Sequence, residues 1–409
     1  MKICLLTYRG NMYCGGQGIY VYYLAKALNT LGHEVHVMSG PPYPSIPDGV
    51  KLHKIDGLNL YETDGLSSLK NPLQLFRPLN FYEVVATHLG MFPEICTFSM
   101  RAYMRLRNLV SQERFDVIHD NQTLGYGMLM ARGLGIPVVA TIHHPIFIDM
   151  KADLAQAKRL WSKFRRTMFY SFLIMQHFVA KRMDRVITVS QISAKDTMRV
   201  FKLPECKVRV VPNGIDINVF KNSNHTPKEP NSIVMVGNTE DRKKGVVFLL
   251  KAIKLLQENV DVKLSIVDRH GDYTKYAPKL VAEHGLGDRV TFTGRLSVDE
   301  LVKRYSVSEI AVTASVYEGF GLPCAEAMSC GTPVIATRAG ALPEIVGSDG
   351  AGILVPPEDP VALSEAIKRL FGDESLRQRM GKAARKRIEE SFSWEVAARK
   401  TLKVYEEVV

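Results

Sequence analysis

The chain has 409 residues, 46% of them apolar and 23% charged, the composition of an ordinary globular protein and not of a disordered or fibrous one. That length is too great for one typical core, so two α/β domains are expected. Lysine and arginine exceed aspartate and glutamate by 53 to 42, a net charge of +11 that favours anionic partners; without zinc-finger spacing, an RNA-stacking motif or a basic tail, no nucleic-acid partner is expected.

Lys2–Thr7 is a short apolar run and reads as a first strand, not as the apolar stretch of a signal peptide. Gly15-Gly16-Gln17-Gly18 then turns the chain into a helical stretch, Ile19–Leu31, and Glu34–Met38 is the next strand. Val117–His119, Pro137–Ile142 and Arg185–Val189 continue the alternation of apolar runs with helical patterns, which signals a doubly wound, largely parallel sheet. Between the last two strands, residues 158–172 set Trp161, Phe164, Met168 and Phe172 on one helical stripe flanked by cations. It reads as a core helix with a solvated basic face; an interfacial helix at an anionic membrane is the alternative. The longest apolar-rich run, Met168–Ala180, contains Gln176 and His177 and is shorter than the ~20 residues a membrane span requires. A cytoplasmic protein is expected, with peripheral contact at the inner face of the membrane left open.

A second unit opens with Ile233–Gly237, a lysine-rich loop and the helix Val247–Asn259. Lys263–Val267, Val290–Thr293, Ile310–Ala314, Pro333–Ala336 and Gly352–Val355 follow as strands, and the last helix, Trp394–Val409, has no strand after it. The polar stretch Lys221–Asn231 puts the hinge between about Pro212 and Asn231. The expected fold class is therefore α/β, with two Rossmann-like domains, 1–211 plus 392–409 and 212–391, facing across a cleft at the carboxyl ends of their strands. The six cysteines show no C-x-x-C and read as buried, reduced thiols.

The densest chemistry follows Ile310–Val316: Tyr317-Glu318-Gly-Phe320-Gly321-Leu322-Pro-Cys-Ala-Glu326. Gly319 and Gly321 let backbone approach a ligand, Pro323 suits a helix's first turn, and the helix start offers free N–H groups to an anion. Two carboxylates flanking an anion cradle suit a diphosphate with hydroxyl-bearing rings at both ends. After Ile233–Gly237, Arg242, Lys243 and Lys244 open a helix, where cations oppose the helix dipole and so point to a ligand anion. Stabilising a departing diphosphate in this way substitutes for a metal, and no H-x-x-x-H or D-x-D signature suggests one. In the first domain the glycine loop lacks the third glycine of a dinucleotide fingerprint, having Val21, and no acidic residue ends the second strand. His119, His143 and His144 end adjacent strands and read as a polar wall.

Glu318 and Glu326, separated by seven residues, together with the Gly-Gly loop, Pro212-Asn-Gly-Ile-Asp216, Gly331-Thr-Pro-Val-Ile and Ala339-Gly-Ala-Leu-Pro-Glu344, resemble the motifs of retaining GT-B glycosyltransferases, particularly family four (glycosyl transferases group 1), over nearly the whole chain. The resemblance implies a hexosyltransferase that needs no metal or other cofactor, with a UDP- or GDP-sugar as co-substrate and a glycan, lipid-linked or small-molecule acceptor. It implies that Glu326 binds the donor ribose, Glu318 a hydroxyl of the transferred sugar, and the amides of Phe320, Gly321 and Leu322 the sugar or phosphate. His143 matches a histidine near the transferred sugar, Lys244 matches a diphosphate lysine, and the terminal helix crosses back to the first domain. Gly15 and Gly16 approach donor phosphates or an anionic acceptor, and His119 and His144 face the acceptor. Base recognition falls near Gly294 and Arg295. One departure stands out: Asn238 occupies the place of the usual diphosphate arginine, so Arg242, Lys243 or Arg269 compensates, or the protein is a catalytically weakened nucleotide-sugar binder.

Overall fold

The computed structural model describes residues 1–11, 16–60, 72–157, 159–222, 226–268 and 275–409. The chain forms two compact units, one of Met1–Pro212 with Ala397–Val409 and one of Asn213–Val396. The return to the first unit begins at Ala397, not at the expected 392.

The first unit is built on seven strands: β1 (Lys2–Thr7), β2 (Glu34–Ser39), β3 (Lys51–Lys54), β4 (Val117–Asn121), β5 (Val138–Ile142), β6 (Arg185–Thr188) and β7 (Val208–Val210). They are all parallel in the order β3-β2-β1-β4-β5-β6-β7. Helices cover both faces, so the central strands are buried throughout and read as apolar runs. β3, Lys-Leu-His-Lys, has no such run and was not expected; at the sheet edge it is supported by pairing with β2. The second unit repeats the plan with β8 (Glu229–Val236), β9 (Lys263–Val267), β10 (Val290–Phe292), β11 (Ser308–Thr313), β12 (Val334–Thr337) and β13 (Gly352–Val355), ordered β10-β9-β8-β11-β12-β13 and all parallel. Each unit has its own apolar core.

In both sheets the strand order reverses beside the first strand, between β1 and β4 and between β8 and β11. Loops leaving adjacent strands on opposite sides open a crevice at such a point, where ligands of this architecture bind. The sequence-predicted site loops follow β1, β4 and β5 in the first unit and β8 and β11 in the second.

The terminal helix, Trp394–Glu406, enters the first unit at Ala397 and is fastened there by polar contacts, buried at Tyr405 and exposed at Glu407 just beyond it. The Tyr405 hydroxyl lies 2.6 Å from Nδ1 of His119, whose Nε2 lies 2.6 Å from the Thr141 hydroxyl. Glu407 accepts from Arg185 at 2.7 Å and from Arg209 at 2.8 Å. The thiol expectation holds for Cys4, Cys324 and Cys330, which are buried, free and held protonated by burial. Cys206 corrects it: it is free but exposed, on the turn before β7.

Candidate active site

In the second unit β8 and β11 are paired neighbours, so the loops leaving them meet. The Val316 amide donates to the Lys243 carbonyl at 2.7 Å, closing one loop onto the other. Asp241 accepts the Lys243 amide at 3.0 Å and shapes the short 3-10 turn Arg242–Lys244. That turn delivers Lys244, whose Nζ donates to Oε1 of Glu318 at 2.6 Å, and the Ser315 hydroxyl donates to the same oxygen at 2.9 Å. Glu318 is only 9% exposed. A carboxylate so nearly buried requires a charged partner or strong donors, and here it has both. Its backbone is equally constrained: Ala341 N–H donates to the Glu318 carbonyl at 2.9 Å, and a Cβ on Gly340 (φ +53) would lie 2.0 Å from that oxygen.

Gly321, at φ +101, then starts the helix Leu322–Ser329, with Pro323 in its first turn. No side chain caps this N-terminus and no acid lies in its first turn, so its dipole and amides are available to an anion. Phe320 is buried, its ring packed edge-on against Phe392 at 6.1 Å, so of this residue only the backbone serves the loop. Glu326, one turn into the helix and half-buried, accepts from the Tyr305 hydroxyl at 3.1 Å. Lys244, Glu318, Gly321 and Leu322 thus sit on one loop edge, with Glu326 on the helix that continues it.

The remaining donor-side residues divide. Asn238 does not imitate an arginine: its Oδ1 accepts the Glu240 amide at 3.0 Å, making it a turn former. Arg242 is exposed, its guanidinium 5.5 Å from the centre of the Tyr276 ring, and Lys243 is exposed beside it. Arg295 is exposed beyond β10. Arg269 and Gly15 lie outside the described residues. Sequence reasoning missed Ser315, Tyr305 and the brace in which Asp268 accepts from both the amide and the hydroxyl of Thr239. Only Ser315, three residues before Glu318, had a local signal to find.

In the first unit Gly16, at φ +72, starts the helix Gln17–Thr30, and no atom of the described residues lies within 4 Å of the position a Cβ would take. His143 follows β5. The Asn121 amide donates to the Gln17 carbonyl at 3.3 Å, which leaves its Oδ1 to accept from Nε2 of His143 at 2.7 Å. Nε2 therefore carries the proton, and Nδ1 is a lone pair with no partner among the described residues. Burial lowers the His143 pKa to about 4, keeping the ring neutral near pH 7. Its ring meets Tyr20 nearly at right angles, edge to face, with ring centres 4.6 Å apart. His144 is partly exposed, with Nε2 3.0 Å from Asp149. His119 corrects the expectation of an acceptor-facing wall: it is 1% exposed, both nitrogens are engaged, and burial drives its pKa down to about 3. It is a clasp for the terminal helix. A basic recess of about 840 Å³ opens beyond β2 and β3, lined among others by Lys54, Arg77, Arg101 and Arg105.

Two parallel α/β units with loops gathered at the strand-order reversal, one carrying a lysine–glutamate pair beside an amide turn, constitute the GT-B glycosyltransferase architecture. Residues 216–387 match the family described as Glycosyl transferases group 1, and residues 14–219 match Glycosyltransferase Family 4. The chain is 39% identical over its full length to the MMP alpha-(1->4)-mannosyltransferase of Mycolicibacterium hassiacum, covering 98% of that protein. Its fold is similar to sucrose-phosphate synthase from Thermosynechococcus elongatus (TM-score 0.72, 23% identity, 100% and 99% of the two chains) and to Anabaena Alr3699/HepE crystallised with UDP-glucose (TM-score 0.67, 18% identity, 100% of both chains). The chain belongs to the group 1, family 4 glycosyltransferases and is an enzyme of that class.

Proposed function

We propose that the protein is a cytoplasmic, retaining, metal-independent hexosyltransferase. It takes a sugar from a nucleoside-diphosphate sugar to a hydroxyl of a glycan, lipid-linked or small-molecule acceptor. The observation that carries this reading is the Lys244–Glu318 pair at 2.6 Å beside the uncapped helix start at Gly321. One cation and a row of amides match a diphosphate, and adjacent carboxylates match sugar hydroxyls. Glu326 takes the ribose, with Tyr305 fixing its orientation.

In the reaction the bond between the anomeric carbon and the diphosphate oxygen breaks, and its electron pair leaves with the diphosphate. Lys244 and the Gly321–Leu322 backbone stabilise that charge as it develops. The acceptor oxygen bonds to the same face of the anomeric carbon, and its proton passes to the departing phosphate oxygen. Glu318 orients the sugar and is not a facing acid–base partner of a glycosidase pair. His143, neutral and offering Nδ1, accepts a hydrogen bond from a sugar hydroxyl. The mannosyltransferase relative is named for an α linkage, and Alr3699/HepE was crystallised with UDP-glucose; both support an activated-sugar donor here.

The turn-forming role of Asn238 favours one second reading, a catalytically weakened nucleotide-sugar binder. A panel of UDP- and GDP-sugars followed by NMR separates them. Release of nucleoside diphosphate with a product of unchanged anomeric configuration supports the transferase. An inverted product refutes retention, and binding without turnover establishes the weakened binder.

A further inference from the structure

The helix Leu160–Phe169 has no buried residue, although half of it is apolar. Leu160 is 85% exposed, Trp161 69% and Phe164 54%, and the Trp161 and Phe164 rings stack on each other at 5.5 Å instead of entering the core. The expected core helix is thereby corrected: of the stripe read from sequence only Phe172 is buried. The next helix, Phe172–Ala180, exposes Ile174 and Phe178 as well.

The charge on this face is predominantly positive, with Asp153 the acid in the wall of its cationic recess. Arg159, Lys163 and Arg165 are exposed along the first helix, Arg182 lies 3.5 Å over the Phe178 ring, and neither helix contains an acid. Two recesses open here with Tyr170 in the wall of both. One, about 510 Å³, is lined by Arg159, Trp161, Arg165 and Arg166 against a single acid, Asp153; the other, about 450 Å³, is lined mainly by apolar side chains that include Phe147, Leu173 and Ile174. A cationic recess and an apolar recess sharing a wall match the two halves of an anionic amphiphile. A second copy of the chain fits poorly, since two-fold pairing would set cations against cations.

We propose that this face of the first unit docks on an anionic lipid bilayer, with the exposed aromatic side chains at headgroup depth and the arginines on lipid phosphates. The inference stands apart from the transferase reading, because none of these residues belongs to the candidate site.

Co-sedimentation of the full chain with phosphatidylglycerol-containing vesicles and with pure phosphatidylcholine vesicles tests it. Binding is expected to the anionic vesicles and to weaken with added salt. Each cation near the surface is worth about fivefold in partitioning, so Lys163→Gln/Arg165→Gln should weaken binding about 25-fold. Trp161→Ser/Phe164→Ser should weaken it at least tenfold by removing apolar area. All four positions are exposed, so the variants should keep wild-type melting temperatures and turnover of soluble substrates. Absence of binding, equal binding to neutral vesicles, or concentration-dependent self-association in ultracentrifugation that the Trp161→Ser/Phe164→Ser variant abolishes would overturn the proposal.

Discussion

Replacing Lys244 by methionine keeps most of its stem and removes the charge that faces Glu318 at 2.6 Å. Two losses follow, and they are separable. The Glu318 carboxylate, 11% exposed, is left with Ser315 as its hydrogen-bond donor among the described residues. Breaking a fully buried pair costs about 3–5 kcal/mol; Lys244 is 25% exposed, so about 1–3 kcal/mol is expected after solvent screening. The second loss falls on the transition state, where one charged donor to a departing group is worth about 3–4 kcal/mol, or 10²–10³ in kcat. Glu318→Gln in the Lys244→Met background removes the uncompensated carboxylate and should recover about half or more of the lost stability. It should recover no turnover. Chemical denaturation of the single and double variants, alongside steady-state release of nucleoside diphosphate, reads both quantities. If Lys244→Met turns over like wild type, or if turnover returns together with stability in the double variant, the lysine is structural and the reasoning fails.

Gly340→Ala places a methyl 2.0 Å from the Glu318 carbonyl at a positive φ, so a melting temperature lowered by several degrees and turnover lowered at least tenfold are expected; an unchanged melting curve would refute the close approach. Because His143 has a pKa of about 4, its protonation should leave kcat/KM unaffected between pH 5.5 and 8, and His143→Ala should lower turnover about 10- to 100-fold without introducing a new pH limb. His119 falls from the ordinary 6.5 to about 3 on folding, so the unfolded chain binds the extra proton and stability is lost as pH drops from 6.5 toward 3, by about 1.4 kcal/mol per unit. Asp120, raised from 3.8 to about 6 by burial, offsets part of this between those values, and His119→Asn should be less stable at pH 7.5 yet show a shallower acid slope in denaturation.

The sequence made the fold legible where period and punctuation coincide. β9 and β13 fall on the residues expected for them, because each is a short run carrying Leu, Ile and Val bounded by turn residues, even though neither strand is buried along its whole length. The placement of Glu318, Gly321 and Glu326 on one loop and the helix that continues it was legible from local punctuation: carboxylates, glycines and a helix-starting proline lie within ten residues of one another. Partners brought in by topology were not legible. The Tyr405–His119 contact joins residues 286 apart in the chain, so nothing beside His119 distinguishes a clasp from a site residue. Asn238 shows the reverse: its departure from arginine is visible in the sequence, but its work as a turn former appears only once Glu240 folds back onto it. The stripe at Trp161 and Phe164 misled because an amphipathic pattern specifies one apolar face and says nothing about whether that face meets a core or another apolar phase.

The central claim is that a nucleoside diphosphate is held on the second unit by Lys244 and the Gly321–Leu322 turn. Isothermal titration calorimetry of wild type and Lys244→Met with UDP, GDP and their sugars tests it most directly. Saturable heat with one nucleotide class, weakened at least tenfold in the variant, is the predicted result; no uptake of either diphosphate by the wild type, or equal affinity in both proteins, would contradict it.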